Sequence, residues 1–304
     1  MATNDNNYIV APGLQYALDG AIALGHPLLL TGEPGTGKTT FAEYAVRYLN
    51  QKEGDTYHSN VLKFNTKTTS NARDLFYSYD ALTHFQAVNL RGGEHKNPAD
   101  FIELQALGKA IAMSNPQESY SAKCRFLMPP RPFSSVVLID EVDKAPRDFT
   151  NDILDEIEHF RFQIREQDNF PIEKSPDTRI VVIMTSNSEK NLPDAFLRRC
   201  VFYHIEFPKK EDPLLRDIVK MHLGSVITDK TKEVYDALFD FFYDARDKAV
   251  RKKPATAELI AWLRLLGLNG YFDKTEADQK EMLLHNLSFL VKTQEDLEAV
   301  RKLL

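Results

Sequence analysis

Short runs rich in apolar and β-branched residues alternate along the chain with longer stretches of helical period. The runs are PLLL (Pro27 to Leu30), NVLKFN (Asn60 to Asn65), SVVLID (Ser135 to Asp140), RIVVIMT (Arg179 to Thr185) and VFYHIEF (Val201 to Phe207). Most are continuous rather than alternating, as strands buried on both faces are, and helical patterns separate them. The pattern predicts five parallel strands in an α/β layered sheet. One predicted helix spans Lys38 to Leu49. A second runs from Phe149 to Phe160, where Phe149, Ile153, Leu154, Ile157 and Phe160 form a single apolar stripe.

After FPKKEDP (Phe207 to Pro213) the strand signals stop and helical patterns such as KEVYDALFDFFYDA and TAELIAWLRLLG take over. A domain boundary is therefore expected near Pro208, with an α/β domain over 1–207 and a helical domain over 208–304. Two insertions break the α/β rhythm. Ala87 to Pro132 carries a helix-like segment from Ala99 to Met113. Arg161 to Asp177 alternates around Gln167 to Asn169 as a short hairpin would. Both are expected to project from the core.

Composition narrows the class. The 304 residues suffice for two cores. The 38 basic against 44 acidic residues leave a net charge of -6, which gives no global electrostatic case for a nucleic-acid partner. Cys124 and Cys200 have neither a disulfide-framework nor a metal-ligand spacing. No run reaches the ~18 apolar residues of a membrane span, and the N-terminus lacks a basic-then-apolar leader pattern. The expectation is a soluble cytoplasmic protein without membrane insertion.

The candidate chemistry lies where strands end. Gly32, Glu33, Pro34, Gly35, Thr36, Gly37, Lys38 and Thr39 spell G-x-x-x-x-G-K-T between an apolar strand and a helix, followed by Thr40. In that context the glycines let backbone N–H groups wrap phosphates at a helix N-terminus. Lys38 supplies a point charge to the β- and γ-phosphates, and the Thr39 hydroxyl can ligate Mg²⁺. Asp140 and Glu141 leave the end of a second strand. Asp140 can hold Mg²⁺, and Glu141 can polarise water as a general base. At a third strand end Thr185 and Asn187 are small polar residues, of which Asn187 can bond a γ-phosphate or orient water. Asp143 and Lys144 read as solvated loop charges. Arg198 and Arg199 close an expected helix from Leu192 to Arg199, where cations also suit the dipole.

GEPGTGKT, VLIDEVDKAP, TSN and LPDAFLRRC, in this order and followed by a helical domain, resemble an AAA+ ATPase. RPFSSVVLIDEVDKAPRDFTNDILDEIE, the hairpin before TSN, and NARDLFYSYDAL are similar to the MoxR-like, dynein-related branch. The resemblance implies a P-loop NTPase αβα core with a five-stranded parallel sheet and a C-terminal α-helical lid, using ATP and Mg²⁺. It implies Asn187 as a first sensor, Arg199 or its rival Arg198 as an arginine finger, and adenine near Tyr8 to Val10, which brings in Ile9 and Val10. It further implies a homo-oligomeric ring, usually a hexamer, that remodels or activates a protein client, with a von Willebrand A domain protein as partner. A nucleotide-driven motor on nucleic acid is the alternative from the same branch. The second sensor of the family is usually an arginine at the start of a lid helix. Ala255, Thr256, Ala257 and Glu258 stand there instead, which leaves either no second sensor or a substitute in Lys252 or Lys253 of the preceding loop.

Overall fold

The computed structural model describes residues 8–90, 97–187, 192–224 and 232–304. It divides into two compact units. One comprises Val10–Gly32 and Gly37–Ile205. The other comprises Glu206–Leu304 together with the described residues up to Ile9 and the short stretch Glu33–Thr36.

The α/β unit runs α1 (Pro12–Leu24), β1 (Leu28–Gly32), α2 (Lys38–Glu53), β2 (Leu62–Asn65), β3 (Tyr77–Tyr79), α3 (Ala81–Leu90), β4 (Ile102–Leu104), α4 (Ala106–Ser114), α5 (Glu118–Ser121), β5 (Ser135–Asp140), α6 (Arg147–His159), β6 (Arg161–Ile164), β7 (Phe170–Glu173), β8 (Ile180–Ser186), α7 (Asp194–Leu197) and β9 (Val201–Ile205). Five strands form one sheet in the order β2-β5-β8-β1-β9, with every pairing parallel. The all-buried strands β1 and β8 are the continuous apolar runs LLLTG and IVVIMTS, sealed on both faces as parallel strands are. Because the strands are parallel, β1, β5 and β8 end at the same edge of the sheet, side by side. Loops leaving that edge are where an open α/β sheet holds ligands.

Three expectations need correction. The segment Ala99 to Met113 is not one helix: Pro98–Phe101 is a 3-10 turn, Ile102–Leu104 is β4, and only Ala106–Ser114 is helical. β4 pairs antiparallel with β3, Tyr77 opposite Leu104. Three-residue strands are too short to show a period of two, so the pairing leaves no local signal. Second, the insertions do not simply project. Ile102, Leu104, Leu107 and Ile111 of the first, and Phe162, Ile164 and Ile172 of the second, are buried in the same core cluster as the sheet. The two insertions also meet: the Tyr120 and Phe170 rings lie edge to face at 6.0 Å, and Gln167 Nε2 donates to Asn97 Oδ1 at 3.2 Å. Third, the helix expected from Leu192 to Arg199 shrinks to Asp194–Leu197. Pro193 drives the residue before it out of the helical region, and Arg198 is already the cap.

The helical unit contains α8 (Leu214–Leu223), α9 (Lys232–Lys248), α10 (Thr256–Leu268), α11 (Glu276–Leu290) and α12 (Gln294–Arg301). Its core gathers Phe239, Phe242, Leu259, Trp262, Leu263, Leu266, Leu287 and Val300, with Trp262 fully buried. Thr293 and Asp296 cap α12, and Asp296 also accepts the amides of Val250, Arg251 and Lys252 at 2.8 to 3.0 Å. One buried carboxylate thus fixes the loop that leads into α10.

Candidate functional site

Beyond β1 the chain turns through Glu33–Gly37 and enters α2 at Lys38. Gly35 and Gly37 have φ of +79° and +82°, in the left-handed region where a Cβ is strained and glycine is not. Thr36 closes the turn on itself, its hydroxyl donating to the Glu33 carbonyl at 2.8 Å. α2 carries no side-chain N-cap. Its first amides and the positive end of its dipole are therefore available to an anion. The Lys38 side chain is buried, and its ammonium donates to the Gly32 carbonyl at 2.8 Å. Thr40 is exposed on the first turn.

Asp140, the last residue of β5, gathers three donors. The Thr39 hydroxyl lies 3.2 and 3.3 Å from its two oxygens, the Thr185 hydroxyl donates at 2.5 Å, and the Lys63 ammonium of β2 lies at 2.9 Å. Burial alone would raise the pKa of this carboxyl. The bonds from Thr185, Lys63 and Thr39, with the Lys63 charge, outweigh it and hold the group below the usual carboxylate range.

Glu141 departs from the strand with φ of +60°, unusual for a residue with a Cβ. Its amide donates to the Thr185 hydroxyl at 2.9 Å. Thr185 thus bridges the Asp140 side chain and the Glu141 backbone while itself fully buried. The Glu141 carboxylate accepts from Lys144 Nζ at 2.5 Å and takes a long contact of 3.5 Å from Asn187 Nδ2. The Asn187 amide donates to Asp143 Oδ1 at 3.2 Å. Asp143 and Lys144 are therefore not simply solvated loop charges: one ties down the Asn187 backbone and the other holds Glu141.

Lys38, Thr39, Asp140, Glu141 and Asn187 are thus brought to one edge of the sheet. Sequence reading passed over Thr185 as a site residue, although the period of two places it on the same face as Asn187. It missed Lys63 outright. Only the β2–β5 pairing sets that lysine beside Asp140, and nothing local signals the pairing. Arg198 and Arg199 are exposed and do not join this cluster. Neither guanidinium has an ion-pair or hydrogen-bond partner among the described residues. Ile9 is partly exposed and Val10 half-buried.

A hydroxyl and a carboxylate converging at Thr39 and Asp140 form a hard oxygen pair of the kind Mg²⁺ takes alongside phosphate oxygens and water. Among the described residues no group of three or more His, Cys, Asp or Glu side chains could hold a metal by itself. A carboxylate beside such a pair, with an amide side chain opposite, can accept a proton from water. Among the described residues no helix is long and apolar enough to cross a membrane.

The comparisons bear on the same segment. Curated proteins yield no match. Among solved structures, the crystal structure of the FIGL-1 AAA domain in complex with ADP aligns over 97% of this chain and 89% of that one, at 15% identity and a TM-score of 0.48. That likeness is too distant to bear on chemistry. The model of the AAA domain family, dynein-related subfamily, matches residues 27–200, from the residue before β1 to the residue before β9 and more than half of the chain. With the phosphate loop, the acidic strand end and the polar strand end all inside the matched residues, the chain belongs to the AAA domain family, in its dynein-related subfamily.

Proposed function

We propose that this chain is an ATP hydrolase that works as a homo-oligomeric ring, of six subunits by the habit of AAA+ proteins, and drives the remodelling or activation of a protein client in the manner of MoxR-like proteins. The observation that carries the reading is the convergence of Thr39 and Asp140 beside Glu141 and Asn187, at the edge where the phosphate loop leaves the sheet.

The loop from Gly32 to Thr40 binds the triphosphate through its backbone N–H groups, Pro34 having none, and Lys38 adds the charge that favours its β- and γ-oxygens. Mg²⁺ held by Thr39 and Asp140 would offset the charge of those oxygens. Glu141 accepts the proton of a water that attacks the γ-phosphorus. The bond from that phosphorus to the bridging oxygen breaks, and ADP and phosphate leave. Asn187 orients the water. The exposed Arg198 or Arg199, whose guanidinium has no partner among the described residues, enters the site of a neighbouring subunit, and Ile9 and Val10 flank the base. A von Willebrand A domain protein is the partner class the resemblance suggests, and the cytoplasm the compartment. A net charge of -6 weighs against the alternative of a motor on nucleic acid.

The test is binding and turnover measured together. Wild-type protein with Mg²⁺ should bind a fluorescent ATP analogue and release phosphate from ATP, with GTP as the competing substrate, and Lys38→Ala should lose tight binding. A wild-type chain that binds no nucleotide would sink the reading. Phosphate release stimulated by single-stranded or duplex DNA, but not by an A-domain protein, would favour the motor instead.

A further inference from the structure

Arg246 lies in the last turn of α9 with its side chain 8% exposed, and nothing in the chemistry above uses it. A buried guanidinium carries a full charge and five N–H donors, and is costly unless its environment answers both. Here it does. Arg246 Nη2 meets Glu33 Oε2 at 2.9 Å, Nη1 donates to the Pro254 carbonyl, and the guanidinium lies 3.5 Å from the centre of the Phe207 ring. Glu33 is the second residue of the phosphate loop, and the stretch Glu33–Thr36 belongs to the same compact unit as α9.

A second contact points the same way. A Cβ built on Gly35 would stand 3.2 Å from the Ala255 Cβ and 3.8 Å from the Ala257 Cβ, at the start of α10. The small residues that occupy the usual place of a second-sensor arginine therefore let the backbone of the loop come close. The arginine that engages the loop comes from α9, and it grips a loop carboxylate.

We infer that Arg246 is a positioning residue for nucleotide binding: through Glu33, it holds the apex of the phosphate loop in its binding conformation. The loop must keep Gly35 and Gly37 left-handed, and a loop with three glycines, Gly32, Gly35 and Gly37, gives up that order readily. Pinning its apex removes part of the entropy that a nucleotide must otherwise overcome. The inference rests on the nucleotide-binding reading above.

The experiment compares Glu33→Gln, Arg246→Met, Arg246→Lys and the double variant Glu33→Gln/Arg246→Met in the full chain, by titration with the fluorescent ATP analogue and by kcat and KM for ATP. Wild type and Lys38→Ala serve as the two references. Glu33→Gln keeps an acceptor oxygen on a side chain that is 43% exposed but takes the counter-charge from the buried guanidinium, so a thermal melt accompanies the titration to show that the variant is folded. It should weaken nucleotide binding by about 10- to 100-fold, the scale of a binding group displaced by about an ångström. Arg246→Met should do the same, and Arg246→Lys, which keeps charge but not the fork, should fall between. The double variant should be no weaker than the worse single one, because both remove the same link.

If Arg246 serves only the helical unit through Pro254 and Phe207, Glu33→Gln will bind as wild type does while Arg246→Met lowers the melting temperature. That result overturns the inference, and so do losses that multiply in the double variant. Should wild type itself bind no nucleotide, the parent reading fails and this one with it. Wild-type binding with unchanged Glu33→Gln affinity defeats only the role of Arg246.

Discussion

The cluster at the strand ends and the arginine pair after α7 contrast in how their charges are met. Asp140 and Glu141 are answered inside the chain, by Lys63, Lys144, Thr39 and Thr185. The guanidinium groups of Arg198 and Arg199 stand exposed without a hydrogen-bond or ion-pair partner among the described residues. A group whose partners are already in place can act within one chain. A paired cation with none suits a task that begins when something anionic arrives, and the γ-phosphate of a neighbouring site is the proposed one.

The largest effect expected from this contrast is at the arginines. Whichever of Arg198 and Arg199 is the finger, its replacement by alanine should lower turnover by ~10³ to 10⁵. Such a subunit mixed with Lys38→Ala should recover part of the activity, since one supplies an intact pocket and the other an intact arginine. Native mass spectrometry that finds mixed rings, alongside phosphate release that stays flat at every ratio, would break the contrast.

Next in size is Glu141→Gln, which should keep nucleotide bound and slow phosphate release by ~10² to 10⁴. Thr185 sharpens the picture further. Thr185→Val keeps the shape but loses the bond to Asp140 and the anchor of the Glu141 amide, so turnover should fall by about 10- to 100-fold, the worth of a hydrogen bond to a charged group. Thr185→Ser should restore most of it. A valine variant with wild-type turnover would mean that Thr185 does not position Glu141.

Two smaller effects separate the cluster from its scaffold. A Cβ on Gly108 of α4 would lie 1.9 Å from the Phe76 carbonyl oxygen, so Gly108→Ala must shift α4 or the segment before β3, at a cost of about 1 to 3 kcal/mol in overpacking. Thermal melts should show that loss, with nucleotide affinity of the surviving folded fraction little changed. The last is a pH effect in the helical unit. Burial would raise the pKa of Asp296, but the amides of Arg251 and Lys252, the Thr293 hydroxyl and the Val250 amide hold it at about 2. A carboxylate depressed on folding adds stability that is fully present above its unfolded value of about 3.9 and is lost as pH falls toward the folded one. Wild type should therefore lose stability between about pH 4 and pH 2, and Asp296→Asn should flatten that slope. Trp262, the one tryptophan of the chain, lies in the helical unit with Asp296, and its fluorescence follows this pH effect.

By itself the sequence determined the parts whose signal is local. The apolar runs that became β1, β5 and β8 bury both faces and read as continuous apolar segments. G-x-x-x-x-G-K-T between strand and helix fixes the phosphate loop by its glycines and lysine, and Asp140 and Glu141 declare themselves as carboxylates at the end of an apolar run. Tertiary structure alone decided what depends on residues far apart in the chain. β3 and β4 exist because each satisfies the backbone of the other across 22 intervening residues from Tyr79 to Ile102. Lys63 reaches Asp140 only because β2 pairs with β5, and Thr185 bridges Asp140 and Glu141 only because β5 and β8 are neighbours. Arg246 lies 213 residues from the Glu33 it grips. A periodicity or a motif records what neighbouring residues do together. Pairings of this kind are set by strand order and packing, which no stretch of the sequence contains.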